Sequence, residues 1–177
     1  SMLFDLIEGK WSQTLCDLFS VPINSLPEIR PTSGHFGSTS TDGPLGKKVP
    51  IRSAIGDQQS SLFGQACFKP GDTKNTYGTG SFILTNLGED PPPINDGLLT
   101  TVAWKLDSSS PLTYAVEGSI FSTGATVQWL RDELGIINKA SELEQLAMDS
   151  QNSGGVVIVP AFSGLGSPWW DPNARGI

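Results

Sequence analysis

The chain has 177 residues, of which 37% are hydrophobic and 16% charged, a composition typical of a globular protein rather than a disordered one. Its net charge is −7 and it has no cluster of Lys or Arg, which argues against nucleic acid as a partner because phosphates require a basic face. No apolar run approaches the ~20 residues of a membrane-spanning helix, so we expect no membrane span.

The cysteines and the single histidine give no sign of a zinc site. Cys16 and Cys67 lie far apart, each among apolar residues, and His35 lies in a stretch rich in Gly, Ser and Thr. The apolar neighbours indicate that both cysteines are buried. We expect the protein to be cytoplasmic, and both thiols to be free because thiols stay reduced in the cytoplasm.

The first 50 residues predict one helix and a long polar connection. Apolar residues at three- and four-residue spacing between Trp11 and Phe19 predict a helix that ends before Pro22. Residues 30–49 are rich in Gly, Ser, Thr and Pro, which predicts a loop or hairpin on the surface.

A strand followed directly by a helix is predicted next. Residues 49–55 have strand character, and apolar residues at helical spacing follow, so that Asp57 lies at the junction of the two elements. The sequence Pro-Gly-Asp at 70–72 predicts a turn, and this turn is the best candidate for a domain boundary.

Past this turn the sequence predicts an antiparallel sheet with short connections. The four predicted strands, with a Pro-rich loop at 88–93 after the second, cover 74–77, 82–86, 98–104 and 112–117.

The first two of these strands are joined by Gly78-Thr79-Gly80. Glycine permits a tight turn and a close approach of the backbone to a ligand. A hydroxyl between two glycines suits a phosphate oxygen, because exposed turn amides form a small anion-binding concavity. On these three residues alone, an ordinary hairpin turn is the alternative.

The remainder predicts two helices and a buried strand. Apolar spacing predicts a helix from Ile120 to about Leu134, and a capping box at Ser141 and Glu144 predicts a second over about 142–150. The continuous apolar run 156–159 predicts a strand buried on both faces. Residues 160–177 predict a loop, with Trp169 and Trp170 as core residues beneath it.

Two places carry candidate chemistry. Asp57, at a helix N-terminus, would be held ionised by the helix dipole and ready to accept a proton, although Asp at such a junction is also a common N-cap. The amides of Gln58 and Gln59 could bind a polyhydroxyl substrate. The small residues at 118–125 permit contact with a ligand or close helix–strand packing, and packing is favoured.

Five blocks of sequence, in this order, resemble the FGGY carbohydrate kinase family and, within it, the members that phosphorylate glycerol. The resemblance extends over nearly the whole chain. The blocks are Gly-Asp-Gln-Gln-Ser-Ser-Leu-Phe-Gly-Gln at 56–65, Lys-Asn-Thr-Tyr-Gly-Thr-Gly at 74–80, Gly-Leu-Leu-Thr-Thr-Val-Ala at 97–103, Gln-Trp-Leu-Arg-Asp at 128–132 and Val-Pro-Ala-Phe-Ser-Gly-Leu-Gly-Ser-Pro at 159–168.

The resemblance implies an α/β protein with part of an actin-like, ribonuclease-H-like ATPase fold. Residues 1–68 would be the end of the first, substrate-binding domain, and residues 69–177 the beginning of the second, nucleotide-binding domain. By the same resemblance, the first domain's phosphate-binding hairpin and most of its glycerol-binding residues are absent from this chain. We therefore expect the isolated chain to have little or no kinase activity.

The resemblance also implies the site residues. Asp57 would be the general base, Gln58 would bind glycerol by a hydrogen bond and Phe82 would pack against its carbon backbone. Thr79 would contact the phosphates of ATP, and the ATP pocket would include Gly124 and Gln128. Mg²⁺ is implied without identified protein ligands, and the full-length protein would be a homo-oligomer. The alternatives are a kinase of the same family acting on another sugar or polyol, and a catalytically silent binding protein of this fold.

Overall fold

The computed structural model describes residues 2–91, 93 and 97–175. Position 92 of the predicted loop 88–93 and positions 176–177 of the predicted loop 160–177 lie outside the described residues. The chain divides into two compact units, Ser1–Lys74 with Leu84–Asn95 and Leu99–Val116, and Asn75–Ile83 with Asp96–Leu98 and Glu117–Ile177.

The chain begins with a small hairpin and a short helix. Strands β1 (Phe4–Asp5) and β2 (Lys10–Trp11) pair antiparallel, and helix α1 (Gln13–Leu18) follows. The Ser12 hydroxyl caps this helix by accepting a backbone N–H of its first turn at 3.3 Å. The predicted helix is therefore confirmed from residue 13. Trp11, which the prediction included, lies outside the helix in β2, because the helix starts after its N-cap Ser12.

The polar connection contains a second hairpin. A 3-10 helix (Ile23–Ser25) precedes strand β3 (Ser33–Ser38), which pairs antiparallel with β4 (Pro50–Ser53). Three residues separate the end of β4 from the start of helix α2 (Asp57–Gly64). The predicted hairpin, strand and helix are thus all confirmed.

The largest sheet has four strands. In chain order they are β5 (Thr73–Tyr77), β6 (Ser81–Gly88), β7 (Leu99–Trp104) and β8 (Thr113–Ile120), and their order in the sheet is β5-β6-β8-β7. Strands β5 and β6 are joined by three residues and β7 and β8 by eight, connections too short for the crossover that parallel neighbours need. These antiparallel pairs match the sequence prediction. Strands β5, β6 and β8 contain residues of both units.

The core of the first unit forms where α2 meets the sheet. Phe63 packs edge-on against Trp104 with ring centroids 5.3 Å apart. Both cysteines are buried and free, as predicted. The buried residues of this cluster are Leu62, Cys67, Leu84, Ala103, Trp104 and Ala115.

Asn86 ties the turn after α2 to the sheet. Its side chain is fully buried; its amide nitrogen donates to the carbonyl of Cys67 at 2.9 Å, and its Oδ1 accepts from the N–H of Gly88 at 2.7 Å. In the full-length protein, Asn86→Ala is expected to cost about 1–3 kcal/mol for each backbone group left unpaired. Urea unfolding measures this cost. Asn75→Ala, at an exposed asparagine of β5, is the control, and an equally small shift for both variants would contradict the prediction.

Two further helices follow the sheet, α3 (Gly124–Asp132) and α4 (Glu142–Asp149). Helix α3 begins four residues later than predicted because β8 extends to Ile120. Helix α4 is confirmed, but its capping box is wrong: Ser141 already has helical backbone angles, φ −66° and ψ −13°, and makes no side-chain cap. Residues 138–141 already turn towards the helix, and the Glu142 carboxylate accepts the N–H of Asn138 at 3.0 Å.

Two predictions for the last segment are wrong. Residues 156–159 are exposed, Val157 to 84%, and no strand among the described residues pairs with them. A buried strand needs neighbouring strands as hydrogen-bond partners for its backbone N–H and C=O groups. Trp169 is 69% and Trp170 39% exposed, so neither is a core residue. The indole N–H of Trp170 donates to the carbonyl of Gly97 at 2.8 Å, and its ring lies edge-on to Phe121 at the surface. None of the helices in the described part of the chain is long and apolar enough to cross a bilayer.

Candidate functional site

Asp57 is the first residue of α2, at the end of the connection from β4. The N-cap residue is Gly56, with extended backbone angles, so Asp57 is not the cap. The carboxylate is exposed, and its Oδ1 accepts the backbone N–H of Gln58 at 2.9 Å. A negative charge in the first turn of a helix is favourable because the helix dipole is positive there. The carboxylate is therefore both accessible and held in place.

The side chain of Gln58 lies between Asp57 and Lys74. Its amide nitrogen is 3.4 Å from Oδ2 of Asp57, and its Oε1 accepts a hydrogen bond from the Lys74 ammonium. Gln59 is directed elsewhere, since its amide nitrogen donates to the Thr101 hydroxyl at 3.4 Å. Of the two glutamines that the sequence singled out, only Gln58 lies beside Asp57.

The Gly78-Thr79-Gly80 turn belongs to the second unit and contacts the start of α3. The carbonyl of Thr79 accepts the N–H groups of Thr123 at 2.8 Å and Ala125 at 3.1 Å, and the carbonyl of Gly78 accepts that of Gly124 at 3.0 Å. The first N–H groups of a helix have no partner within the helix. Here the backbone carbonyl groups of the turn accept these N–H groups, in place of a capping side chain.

Glycine is required where turn and helix approach. A Cβ added to Gly124 would lie 2.5 Å from the carbonyl oxygen of Gly78. A Cβ on Gly80 would lie 3.0 Å from the carbonyl oxygen of Phe121 and closer still to that of Ile120. Of the small residues at 118–125, Gly124 therefore serves close packing, although against a turn rather than the strand that the prediction favoured. Beside it the Ser81 hydroxyl donates to the Thr123 hydroxyl at 2.8 Å.

The six predicted site residues divide between the units. Asp57 and Gln58 are neighbours in the first unit. In the second, the backbones of Thr79 and Gly124 are linked through the turn, while Phe82 on β6 and Gln128 on α3 have exposed side chains. The Thr79 side chain is also exposed, so its hydroxyl is accessible to a phosphate oxygen.

The described residues contain no group of three or more His, Cys, Asp or Glu side chains that could hold a metal ion. A magnesium ion bound together with a nucleotide does not require such a group, because phosphates and water supply most of its ligands. The described residues could therefore accommodate a metal ion as a companion of a bound phosphate.

Lys74 contacts the candidate site residue Gln58, and the sequence prediction missed it. It is 4% exposed, and among the described residues it is the only buried charged side chain. It occupies an inward position of β5, where exposed and inward residues alternate. A lysine on the inward face of a strand is unusual. That alternation is the signal that could have identified it.

The chain matches two family models. The model of the C-terminal domain of the FGGY family of carbohydrate kinases covers residues 73–177, and that of the N-terminal domain covers residues 1–64.

Similar proteins cover the whole chain. The chain is 51% identical over 177 residues to a glycerol kinase of Caldanaerobacter subterraneus subsp. tengcongensis, covering all of this chain and 35% of that protein. It is 49% identical over 181 residues to a glycerol kinase of Mycoplasma genitalium, with the same coverage. The chain thus spans about a third of the length of these relatives.

Solved structures are similar as well. The structure of Plasmodium falciparum glycerol kinase with ADP has a TM-score of 0.88 and 39% identity, with 98% of this chain and 34% of that chain covered. A xylulose kinase from Rhodospirillum rubrum has a TM-score of 0.72 at 22% identity, covering 96% of this chain and 35% of that one, a likeness in fold alone.

Proposed function

From the premise that this chain belongs to the FGGY family of carbohydrate kinases and has part of their actin-like ATPase fold, we propose that it is part of an ATP-dependent glycerol kinase. The full-length protein would transfer the γ-phosphoryl group of ATP to a terminal hydroxyl of glycerol, giving glycerol 3-phosphate and ADP. The observation that carries the proposal is identity of about one half, over the entire chain, to proteins named glycerol kinase.

The acceptor side of the proposed reaction rests on Asp57. Its exposed carboxylate takes the proton of the glycerol hydroxyl while the hydroxyl oxygen forms its bond to the γ-phosphorus. The adjacent Gln58 amide hydrogen-bonds glycerol, and Phe82 packs against the carbon backbone of glycerol. The exposed position of the carboxylate in the first turn of α2, held by the N–H of Gln58, supports this role.

The donor side of the proposed reaction rests on the Gly78-Thr79-Gly80 turn. The Thr79 hydroxyl contacts the ATP phosphates, and Gly124 and Gln128 belong to the nucleotide pocket. Phosphoryl transfer asks a protein mainly for positioning and charge stabilisation. The anchoring of the turn on α3 supports such a positioning role. Mg²⁺ bound with ATP would neutralise the charge of its phosphates.

We further propose a domain boundary at 68/69, with the acceptor residues Asp57 and Gln58 in the first domain. Two observations support it: the family models end at 64 and begin at 73, and a turn lies between them at 70–71. The proposal also extends to a cytoplasmic location, supported by the free buried thiols of Cys16 and Cys67. A homo-oligomeric full-length protein is implied by family resemblance alone.

A coupled assay of ADP release tests the function, with glycerol, xylulose or no acceptor. The full-length protein should release ADP only with glycerol. Release with xylulose alone would favour another acceptor in the same family, and the absence of turnover with any acceptor would favour a catalytically silent protein.

The isolated 177-residue chain should show no glycerol-dependent ADP release in the same assay. It spans about a third of its relatives, and phosphoryl transfer requires both a complete phosphate site and a complete acceptor site. The full-length protein at equal molarity is the control. Turnover by the isolated chain would contradict this prediction.

A further inference from the structure

We propose that Lys74 is a positioning residue that determines which end of the Gln58 carboxamide faces the acceptor substrate, glycerol. The proposal rests on the proposed function, which assigns Gln58 to glycerol. Nothing in the sequence resemblance assigned a role to Lys74.

Lys74 is buried, so its ammonium group is not simply a surface charge surrounded by water. The side chain lies on the inward face of β5 with 4% of its surface exposed. Burying an ammonium group is costly unless the group is hydrogen-bonded, so the contact that it makes with Gln58 satisfies part of a strong requirement.

The chemistry of the ammonium group fixes the orientation of the amide. An ammonium group has three donors and no acceptor, so the Gln58 atom that it contacts must be the carbonyl oxygen. The amide nitrogen then lies at the other end, 3.4 Å from Oδ2 of Asp57. Rotating the amide by half a turn would set donor against donor at Lys74 and oxygen against carboxylate at Asp57. Both contacts are repulsive, so a single orientation is stable.

This orientation suits a hydroxyl that is about to lose its proton. An amide N–H beside the carboxylate donates to the hydroxyl oxygen, while Asp57 accepts the hydroxyl proton. A reversed amide would present a second acceptor and compete with Asp57 for that proton. Lys74 therefore makes Gln58 a donor towards the acceptor substrate.

A double-mutant cycle in the full-length protein tests the proposal, using Lys74→Met, Gln58→Ala and the double variant. We expect Lys74→Met to lower kcat/KM for glycerol about tenfold or more, because the oriented hydrogen bond from Gln58 to the acceptor hydroxyl is lost. In the Gln58→Ala background it should have no further effect, and KM for ATP should not change. Lys74→Arg should restore most of the loss. Lys69→Met, at an exposed lysine of the same unit, should leave kcat/KM unchanged.

Equal losses from Lys74→Met in both backgrounds would overturn the proposal, since they would indicate a structural role independent of Gln58. Parallel increases in KM for glycerol and for ATP would do the same. If Lys74→Met does not fold, Lys74→Gln replaces it in the cycle. An amide at this position can donate or accept, so it no longer requires the carbonyl oxygen of Gln58 to face it.

A second readout separates this proposal from the proposed function. Thermal unfolding midpoints of the same four proteins report the Lys74–Gln58 link without any turnover. A non-additive change supports the link, and an additive one overturns it. A wild-type protein that folds but does not phosphorylate glycerol contradicts the proposed function, whatever the unfolding cycle shows.

Discussion

Asp57→Asn in the full-length protein should lower kcat for glycerol phosphorylation by about 10²–10⁴-fold, with a much smaller change in KM for glycerol. The substitution keeps the shape of the side chain and an oxygen to accept the Gln58 N–H, but it removes the group that takes the proton. Because Gly56 is the N-cap of α2, the helix should remain intact.

The control for this prediction is Asp42→Asn, which removes the same charge at an exposed position of the same unit. Its kcat should equal that of the wild type. Circular dichroism of both variants checks that the fold is retained. An Asp57→Asn protein that keeps more than about a tenth of wild-type kcat would remove Asp57 from the role of general base.

Gly80→Ala is expected to destabilise the full-length protein by about 1–3 kcal/mol and to raise KM for ATP. The added methyl group would press on the carbonyl oxygens of Ile120 and Phe121, which are backbone atoms and cannot rotate away. The turn would have to move, and Thr79 with it. Thermal unfolding and initial rates over a range of ATP concentrations measure the two effects.

Gly78→Ala is the matched control for stability, because it adds the same methyl group two residues earlier in the turn. A Cβ there would lie 3.5 Å from the carbonyl oxygen of Gly80, an ordinary van der Waals distance. Its effect on stability should stay within about 0.5 kcal/mol. Equal destabilisation by the two substitutions would mean that the contact with β8 and its following residue does not explain the glycine at position 80.

Local patterns in the sequence were sufficient for the elements that carry the site. The junction at Asp57 follows from a strand pattern, a glycine and a helical pattern within 20 residues, and the hairpin around Thr79 follows from two strand runs and a short turn. Each of these signals lies within a single element and its neighbour. That is why the structure confirms α2, β5 and β6.

The parts that sequence reasoning missed depend on residues outside the local patterns. The apolar run 156–159 has the composition of a buried strand, but composition does not supply hydrogen-bonding neighbours. The role of Lys74 depends on a contact with Gln58, 16 residues earlier in the chain. The capping box at Ser141 failed because the preceding residues already turn, which a four-residue pattern does not register.

The sharing of hydrogen bonds between the Gly78-Thr79-Gly80 turn and α3 makes them one cooperative unit. The turn cannot leave its place without exposing the amides of Thr123, Gly124 and Ala125, and the first turn of α3 cannot fray without releasing the turn. Fraying at a helix end is normally among the cheapest local openings of a protein. Here such an opening would also displace Thr79, so the rigidity of the proposed phosphate contact is set by the local stability of a helix end.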